Sequence, residues 1–255
     1  MIDPSVKCLA GKVAVVTGAG KNIGRSVVEH LASVGAHIVV NGRNDQGAID
    51  KTAAMLNRDY GVEAMPFLAD VTDRAAVDRM AAATMDRFGR VDIVISNAAH
   101  RNQVPFLHMT YAQWRNVLDV VLDGAFNMCQ AFGKLMVEGG NGGSIVTLSG
   151  ISNRVGTLNR AHVNAAKGGL EGLTRGLANE FAPNGINVNA VAPGMVDTAR
   201  GDSAGTRPNL VQRGIPLNRM ASVNEIAGMI RFLCTPEGAY TTGQTIHING
   251  GVYLT

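Results

Sequence analysis

The sequence predicts a single α/β domain, residues 1–255, of Rossmann type: a doubly wound, seven-stranded, mostly parallel sheet with helices on both faces. Three observations lead to this prediction. The length of 255 residues fits one domain of ordinary size. Short apolar runs alternate with amphipathic stretches along the chain. Hydrophobic residues make up 46% of the sequence, which is enough for a sizeable core and excludes global disorder.

Seven short apolar runs are the predicted strands. Most are rich in Val and Ile and uninterrupted by charge, which is typical of strands buried on both faces of a parallel sheet. Glycines cluster at the ends of the runs, as expected where a chain turns sharply beside a ligand. The runs are Val13–Val16, Ile38–Val40, Ala64–Leu68, Ile93–Ile95, Ile145–Leu148, Val188–Val191 and Thr245–Ile248.

Segments with a 3.6-residue apolar repeat lie between these runs and predict helices. Two long helices are expected at about Thr110–Glu138 and His162–Phe181. The alternation of strand and helix indicates right-handed crossovers. The irregular stretch 195–216 follows a predicted strand end, and we expect it to form a substrate lid rather than a plain surface loop.

The charge and cysteine patterns exclude several function classes. The net charge is +3 without a block of Lys or Arg, so we expect neither nucleic acid nor membrane as a partner. No apolar run approaches a bilayer span, and the first residues show no secretory leader. Cys8, Cys129 and Cys234 lack CxxC spacing, which indicates a cytoplasmic location. Histidines and cysteines show no metal-ligand spacing, so we predict no metal.

A glycine-rich turn follows the first predicted strand and precedes an amphipathic helix. It reads Thr17-Gly18-Ala19-Gly20-Lys21-Asn22-Ile23-Gly24. Glycines let the backbone approach a pyrophosphate, whose charge is met by the N-terminus of the helix. Because the turn sits between a strand and a helix, it favours a nucleotide site over a turn without ligand.

This turn resembles the TGxxxGxG motif of the short-chain dehydrogenases/reductases, with Asn22 at the position of the middle glycine. Asn tolerates left-handed backbone angles, so the departure is mild. Other motifs of the family match in the same order over most of the chain. Within the family, the sequence most resembles the 3-oxoacyl-carrier-protein reductases. The matching motifs are Asp70-Val71 for the adenine, Ser96-Asn97-Ala98-Ala99 for NNAG, Pro193-Gly194-Met195-Val196-Asp197-Thr198 beside the nicotinamide, and Thr242-Gly243-Gln244 with Asn249-Gly250-Gly251 at the end.

The residues after the second strand predict NADP(H) rather than NAD(H). An NAD site usually has an Asp or Glu here, whose carboxylate would repel a 2′-phosphate. In this sequence Gly42 occupies that position and Arg43 follows, with a guanidinium suited to a phosphate. Lys21 adds a second cation on the same side. The alternative is that both cations are merely solvated surface groups.

The resemblance implies four catalytic residues, and three of their positions are changed. The family uses a Tyr as general acid/base, together with a Ser thirteen residues before it and an Asn further upstream. A Lys four residues after the Tyr lowers the pKa of that Tyr and binds the nicotinamide ribose. Here Lys167 is retained, whereas Val163, Gly150 and Val121 occupy the other three positions. Neither Val163 nor Gly150 can donate a side-chain proton.

Neighbouring residues offer substitutes for the missing acid. Ser149 and His162 are also thirteen apart, but His162 is five residues before Lys167, about 140° around a helix, so the two would face different directions. A local bulge would rescue His162 as acid/base; otherwise it is a polar residue on the helix surface. Weaker candidates on the substrate rim, each of which also fits a loop or capping role, are His100, Arg101, His108, Tyr111, Ser152, Asn153 and Arg154.

Three functions fit this pattern. The leading one is an NADP(H)-dependent oxidoreductase that acts on a small carbonyl or alcohol with a substitute proton donor or water. The second is a catalytically silent cofactor-binding subunit, paired with an active paralogue. The third is a non-redox isomerase or lyase on the same fold. The resemblance implies assembly through the two long helices, as a homodimer or homotetramer or mixed with an active paralogue.

Overall fold

The computed structural model describes residues 7–199 and 214–255, which contain seven strands in the order β3-β2-β1-β4-β5-β6-β7. Every pairing between neighbours is parallel. The order reverses between β1 and β4, where a doubly wound sheet opens a crevice for ligands. The predicted fold class is therefore confirmed. The strands are β1 Val13–Val16, β2 His37–Gly42, β3 Ala64–Leu68, β4 Ile93–Ser96, β5 Gly143–Leu148, β6 Ile186–Pro193 and β7 Thr245–Ile248.

Helices cover both faces of the sheet, and alternate residues of each strand face opposite layers. Ala14 and Val16 of β1 pack with α1, α2 and α8, whereas Val15 packs on the side of α3 and α5. Both layers are built around side chains with almost no exposed surface. The helices are α1 Asn22–Ser33, α2 Gln46–Tyr60, α3 Arg74–Phe88, α4 Tyr111–Leu118, α5 Gly124–Gly139, α6 Ser152–Val155, α7 Ala161–Phe181 and α8 Val223–Cys234.

The first of the two long helices predicted from the sequence is interrupted. A π-helical turn, Asp119–Asp123, separates α4 from α5, so the expected continuous helix at Thr110–Glu138 is corrected to two helices. Arg115 forms ion pairs with both Asp119 and Asp123, the first and last residues of the turn. Such turns occur often at functional sites, and this one carries Val121. The other long helix, α7, agrees with its prediction to one residue.

Part of the predicted lid lies outside the described residues. Of the range 195–216, residues 200–213 are not described. The segment before them is held by backbone hydrogen bonds from Asp197 N to Ala221 O (2.8 Å) and from Ala221 N to Met195 O (2.9 Å). Within the described ranges, no helix is both long and apolar enough to cross a membrane.

Candidate active site

The glycine turn is fixed to the end of β4 by a set of short hydrogen bonds. The hydroxyl of Thr17 accepts from the backbone N–H groups of Asn97 and Ala98, each at 2.9 Å. The side-chain amide of Asn97 donates in return to Thr17 O (2.8 Å) and Gly18 O (3.2 Å). The ends of β1 and β4 therefore form one rigid unit, with the predicted site residues Asn97 and Ala98 in place beside the turn.

Gly24 packs so closely against this unit that no side chain fits there. A Cβ at Gly24 would lie 2.2 Å from Gly18 O and 2.7 Å from Asn97 Nδ2. Gly18 itself has a φ of +63°. The backbone in this turn is thus left bare on the side where a phosphate group can approach.

The N-terminus of α1 has an anion-binding character. No side chain caps the helix at Lys21, and its first turn contains no acidic residue. The first N–H groups of the helix therefore remain available to an external acceptor, and the helix dipole favours negative charge there. Lys21 is exposed at this end, and Ile23 is buried directly behind it.

Asn22 has two roles in the turn, and the sequence indicated only one of them. Its φ of 52° confirms that Asn replaces glycine at a left-handed position. Its side chain also donates to Ala199 O (3.0 Å) and accepts from Ala199 N (2.9 Å). Because the two residues are far apart in the chain, no local pattern could have indicated this link between the turn and the start of the predicted lid.

A side chain at the position of Gly42 would crowd Ile49 at the end of β2. A Cβ on Gly42 would lie 2.7 Å from Ile49 Cγ2, so a longer side chain would require Ile49 to move. Arg43 is exposed at the same edge. Asp70, after β3, uses one carboxylate oxygen to accept from the backbone and hydroxyl of Thr72, and the next residue, Val71, is buried.

A cavity of about 390 Å³ opens at the carboxyl ends of β4, β5 and β6. One wall is formed by residues that follow these strands, including Gly150 after β5. Thr198 is buried, and a Cβ on Gly194 would lie 2.7 Å from Asn249 Cα, so the β6 end is tightly packed. Six of the predicted site residues line this cavity: Ile23, Asn97, Lys167, Pro193, Gly194 and Val196.

Lys167 brings the principal reactive group into the cavity. Its ammonium group donates a hydrogen bond to Leu148 O at the end of β5. Burial lowers the pKa of Lys167 to about 7, and the nearby positive charge of Arg101 contributes to the same shift. A lysine with this pKa can both hold and release a proton at neutral pH.

Comparison with known proteins identifies the family to which this chain belongs. The family described as Enoyl-(Acyl carrier protein) reductase matches residues 18–253. The chain is 36% identical over 247 residues to a 3-oxoacyl-[acyl-carrier-protein] reductase of Synechocystis sp., covering 96% of this chain and 98% of that protein. It is 33% identical, with the same coverage, to the 3-oxoacyl-[acyl-carrier-protein] reductase FabG of Escherichia coli. A crystal structure described as a short-chain alcohol dehydrogenase from Sinorhizobium meliloti has a TM-score of 0.90 at 35% identity, covering 97% and 98% of the two chains. The chain belongs to the short-chain dehydrogenase/reductase family.

In this short-chain dehydrogenase/reductase, the three positions that the sequence comparison above interpreted as changed lie near one another. Val163 and Gly150 both line the cavity. Val121, in the π-helical turn, belongs with Val163 to one cluster of buried apolar residues beside α7. Apart from Lys167, the positions where the family pattern has catalytic groups therefore present apolar surface or bare backbone.

The structure does not bring His162 to the cavity. Its imidazole is fully buried and is absent from the cavity lining, so it is not the surface residue considered as one alternative from the sequence. Burial lowers its pKa, and His100 lowers it further. Ser149, the other half of the shifted pair, donates its hydroxyl to Glu171 Oε1 at 3.0 Å and to Lys167 O at 3.2 Å.

Glu171 is a buried acid that the sequence analysis missed. It lies on α7, one turn after Lys167, and is only 2% exposed. Its carboxylate accepts from Ser149 and Asn153 and forms an ion pair with Arg154. The apolar spacing of the helix gave no signal for it, because the partners come from the segment after β5. These contacts with Glu171 make Asn153 and Arg154 structural residues rather than residues of the substrate rim.

The other rim candidates divide between the cavity and the surface. His100, Arg101 and Ser152 line the cavity. His108 and Tyr111 are exposed and do not contribute to its lining.

Proposed function

We propose that this chain is an NADP(H)-dependent oxidoreductase that interconverts a small carbonyl compound and its alcohol, with Lys167 as the proton donor. The observation that supports this most directly is the position of Lys167 in an open cavity, at the strand ends where the family pattern has its nicotinamide segment. A chain that had lost its activity would be free to fill this space with apolar side chains.

The residues at the nucleotide end fit NADP(H). The bare backbone at Gly24 and the uncapped start of α1 suit a pyrophosphate. Arg43 and Lys21 are exposed and have no ion-pair partner among the described residues, so both can contact a 2′-phosphate. The packing of Ile49 against Gly42 disfavours the carboxylate that would select NAD(H).

The proposed reaction needs one proton from the protein. NADPH, when bound, supplies a hydride to the carbonyl carbon and leaves as NADP⁺. The carbonyl oxygen then requires a proton, which we assign to Lys167 Nζ, and solvent returns a proton to the amine. We assign no proton transfer to His162, because its imidazole does not line the cavity. Lys167 keeps its hydrogen bond to Leu148 O, which orients the amine during the transfer.

Variants of Lys167 test this assignment. At saturating NADPH, we expect Lys167→Met to lower kcat for carbonyl reduction by about 10²-fold or more, since a positioned general acid contributes 10²- to 10⁴-fold. Cofactor affinity should also fall, because hydrogen bonds from a charged group contribute about 1–3 kcal/mol. Lys7→Met, at an exposed lysine, is the control. Unchanged kcat in Lys167→Met would refute the proton-donor role.

The pH profile provides a second test of Lys167. The protonated amine is the active form for reduction, and its fraction falls as the pH rises through about 7. We therefore expect kcat for carbonyl reduction to decline above pH 7 and kcat for alcohol oxidation to rise. A profile for reduction that stays flat between pH 6 and 9 would contradict the assignment.

The same lysine also supports a non-redox candidate. A neutral amine at pH 7 can attack a ketone, forming a carbon–nitrogen double bond to Nζ with release of water, which is the first step of many lyase reactions. Borohydride treatment in the presence of a ketone distinguishes the two functions. Irreversible labelling of Lys167 together with turnover in the absence of NADP(H) would favour the lyase.

We also propose that the chain forms a homodimer or homotetramer through α5 and α7, with an active paralogue as the alternative partner. A groove of about 570 Å³ lies between these helices and is lined by Phe126, Leu173, Leu177 and Phe181. Phe126 is 47% exposed and lies in this groove with three other large apolar side chains, so the groove presents a contiguous apolar surface. Phe126→Glu should shift the mass measured by light scattering to that of a monomer. An unchanged mass would exclude this surface.

A further inference from the structure

Asn22 joins two parts of the proposed cofactor site that are far apart in the chain. Its side-chain amide donates to Ala199 O (3.0 Å), and its side-chain oxygen accepts from Ala199 N (2.9 Å). We call this pair of hydrogen bonds the Asn22 bridge. One end of the bridge belongs to the glycine turn, where the pyrophosphate is expected. The other end directly follows Pro193–Thr198, the segment that the family pattern has beside the nicotinamide.

The bridge leaves the start of α1 open to a nucleotide. An asparagine near the start of a helix often uses its side chain to cap the first N–H groups of that helix. Here the side chain of Asn22 pairs with Ala199 instead, and α1 begins without a side-chain cap at Lys21. The first N–H groups of α1 can therefore bind a phosphate while the bridge is formed. The bridge and the nucleotide thus use different groups.

Both ends of the bridge are anchored to the same pair of helices. The segment before Ala199 is held by the backbone hydrogen bonds between Ala221 and residues 195 and 197, just before α8 begins. Ser26 of α1 donates to Asn224 Oδ1 of α8 at 2.8 Å, which ties the helix of the glycine turn to α8. The Ser26–Asn224 contact is partly buried, whereas the Asn22 bridge is exposed. Solvent therefore competes more strongly for the bridge, which opens more easily than its anchors.

The bridge lies at the edge of the cavity. Ile23, the residue after Asn22, lines the cavity, and so does Val196, three residues before Ala199. The bridge therefore joins the glycine turn to the segment after β6 beside the place where both contribute to the cavity lining. A dinucleotide with its pyrophosphate at the glycine turn and its nicotinamide in the cavity must cross this junction. It would have to pass the bridge when it enters or leaves.

We propose that Asn22 controls the exchange of the cofactor: its bridge to Ala199 opens to let NADP(H) enter or leave and closes again over the bound nucleotide. This rests on the cofactor of the proposed function and does not depend on its proton donor. The glycine of the family pattern has no side chain with which to form such a bridge. Because the bridge and the nucleotide use different groups, the bridge should slow binding and release by the same factor and leave the affinity nearly unchanged.

Stopped-flow fluorescence with NADPH and the full chain measures both rate constants without turnover. A neutral hydrogen bond changes an equilibrium by about two- to tenfold, and the bridge contains two. We therefore expect Asn22→Gly to raise the association and dissociation rate constants by about tenfold each, with a change in Kd below about threefold. Glycine readily adopts the φ of 52° at this position, so the turn is retained. Asn218→Gly, at another asparagine with a positive φ (50°), is the matched control and should leave both rate constants unchanged.

Two further measurements examine the bridge itself. Ala199→Pro removes the N–H that donates to Asn22 Oδ1, because proline has no backbone N–H. If both residues act through the bridge, the double variant should exchange NADPH no faster than Asn22→Gly alone. Hydrogen exchange of the free chain, followed by mass spectrometry on the peptide that contains Ala199, does not depend on nucleotide binding. The N–H of Ala199 should exchange about tenfold faster in Asn22→Gly.

The outcomes separate this proposal from the proposed function. Unchanged rate constants in Asn22→Gly, with NADPH still bound, would overturn the role of the bridge and leave the oxidoreductase function intact. A rise in only one of the two rate constants would also overturn it, because a bridge that must open for exchange affects both. Faster exchange in both directions, in a chain that reduces no ketone, would support the role of the bridge and contradict the oxidoreductase function. If the natural chain binds neither NADPH nor NADH, both proposals fail.

Discussion

Restoring the family's proton donor would test how much of the catalytic apparatus remains. The design is Val163→Tyr with Gly150→Ser, adding Val121→Asn if the first pair folds. The serine fits, because a Cβ on Gly150 would have its nearest neighbours, Pro193 O and Ser152 Oγ, at 3.9 Å. The tyrosine ring can extend only into the cavity, since the other neighbours of Val163 form a buried apolar cluster.

The expected effects follow from these surroundings. Overpacking around the ring should reduce the free energy of unfolding by about 1–3 kcal/mol. Lys167 lies four residues later on the same helix face, so its charge would lower the pKa of the new phenol. A positioned general acid contributes about 10²- to 10⁴-fold, and in the function proposed above Lys167 already supplies a proton. We therefore expect kcat for carbonyl reduction to rise toward the lower end of that range, about 10²-fold.

The assay follows NADPH absorbance with activated diketones and short 3-oxoacyl thioesters. The matched control is Val163→Phe with Gly150→Ser, which has the same ring without the hydroxyl. If the Tyr variant is no faster than the Phe variant while both fold and bind NADPH, the reasoning is refuted, because a proton donor at residue 163 is then not what limits the rate.

Three further predictions concern the cofactor site and the buried acid. In a fluorescence titration, Arg43→Ala should weaken NADPH binding by about tenfold, the effect of one charge-assisted hydrogen bond, and leave the affinity for NADH unchanged. Arg79→Ala is the control. Equal losses of affinity for both cofactors would contradict the contact with the 2′-phosphate. Gly24→Ala should abolish the rise in Tm caused by NADPH, because its Cβ would lie 2.2 Å from a carbonyl oxygen; a retained rise would show that the turn relaxes. Glu171→Gln should lower the free energy of urea unfolding by about 1.5–3 kcal/mol, because the ion pair with Arg154 is lost. The same substitution should lower it by less in an Arg154→Met background. Equal losses in the two backgrounds would mean that Glu171 and Arg154 are not energetically coupled.

The sequence predicted what depends on local periodicity and missed what depends on contacts between distant segments. The Val- and Ile-rich runs located all seven strands, and the unusual Asn22 was correctly interpreted from its backbone preference. The π-helical turn at Asp119–Asp123 escaped prediction, because an extra residue in a turn barely alters the apolar spacing of the helices around it. Glu171 was missed for a similar reason: a polar residue on a helix is buried or exposed according to partners that arrive from elsewhere.

Two of the positions where the resemblance implies a polar group, Val121 and Val163, are physically linked in the fold. Both side chains belong to one buried apolar cluster, and Val121 is 2% exposed. With a valine at residue 163, an asparagine at residue 121 would face apolar neighbours, and a buried amide without a partner costs about 1–3 kcal/mol. An asparagine introduced at residue 121 alone is therefore expected to destabilise the fold. The same reasoning places Val121→Asn last in the restoration, after Val163→Tyr has introduced a polar group next to the shared cluster.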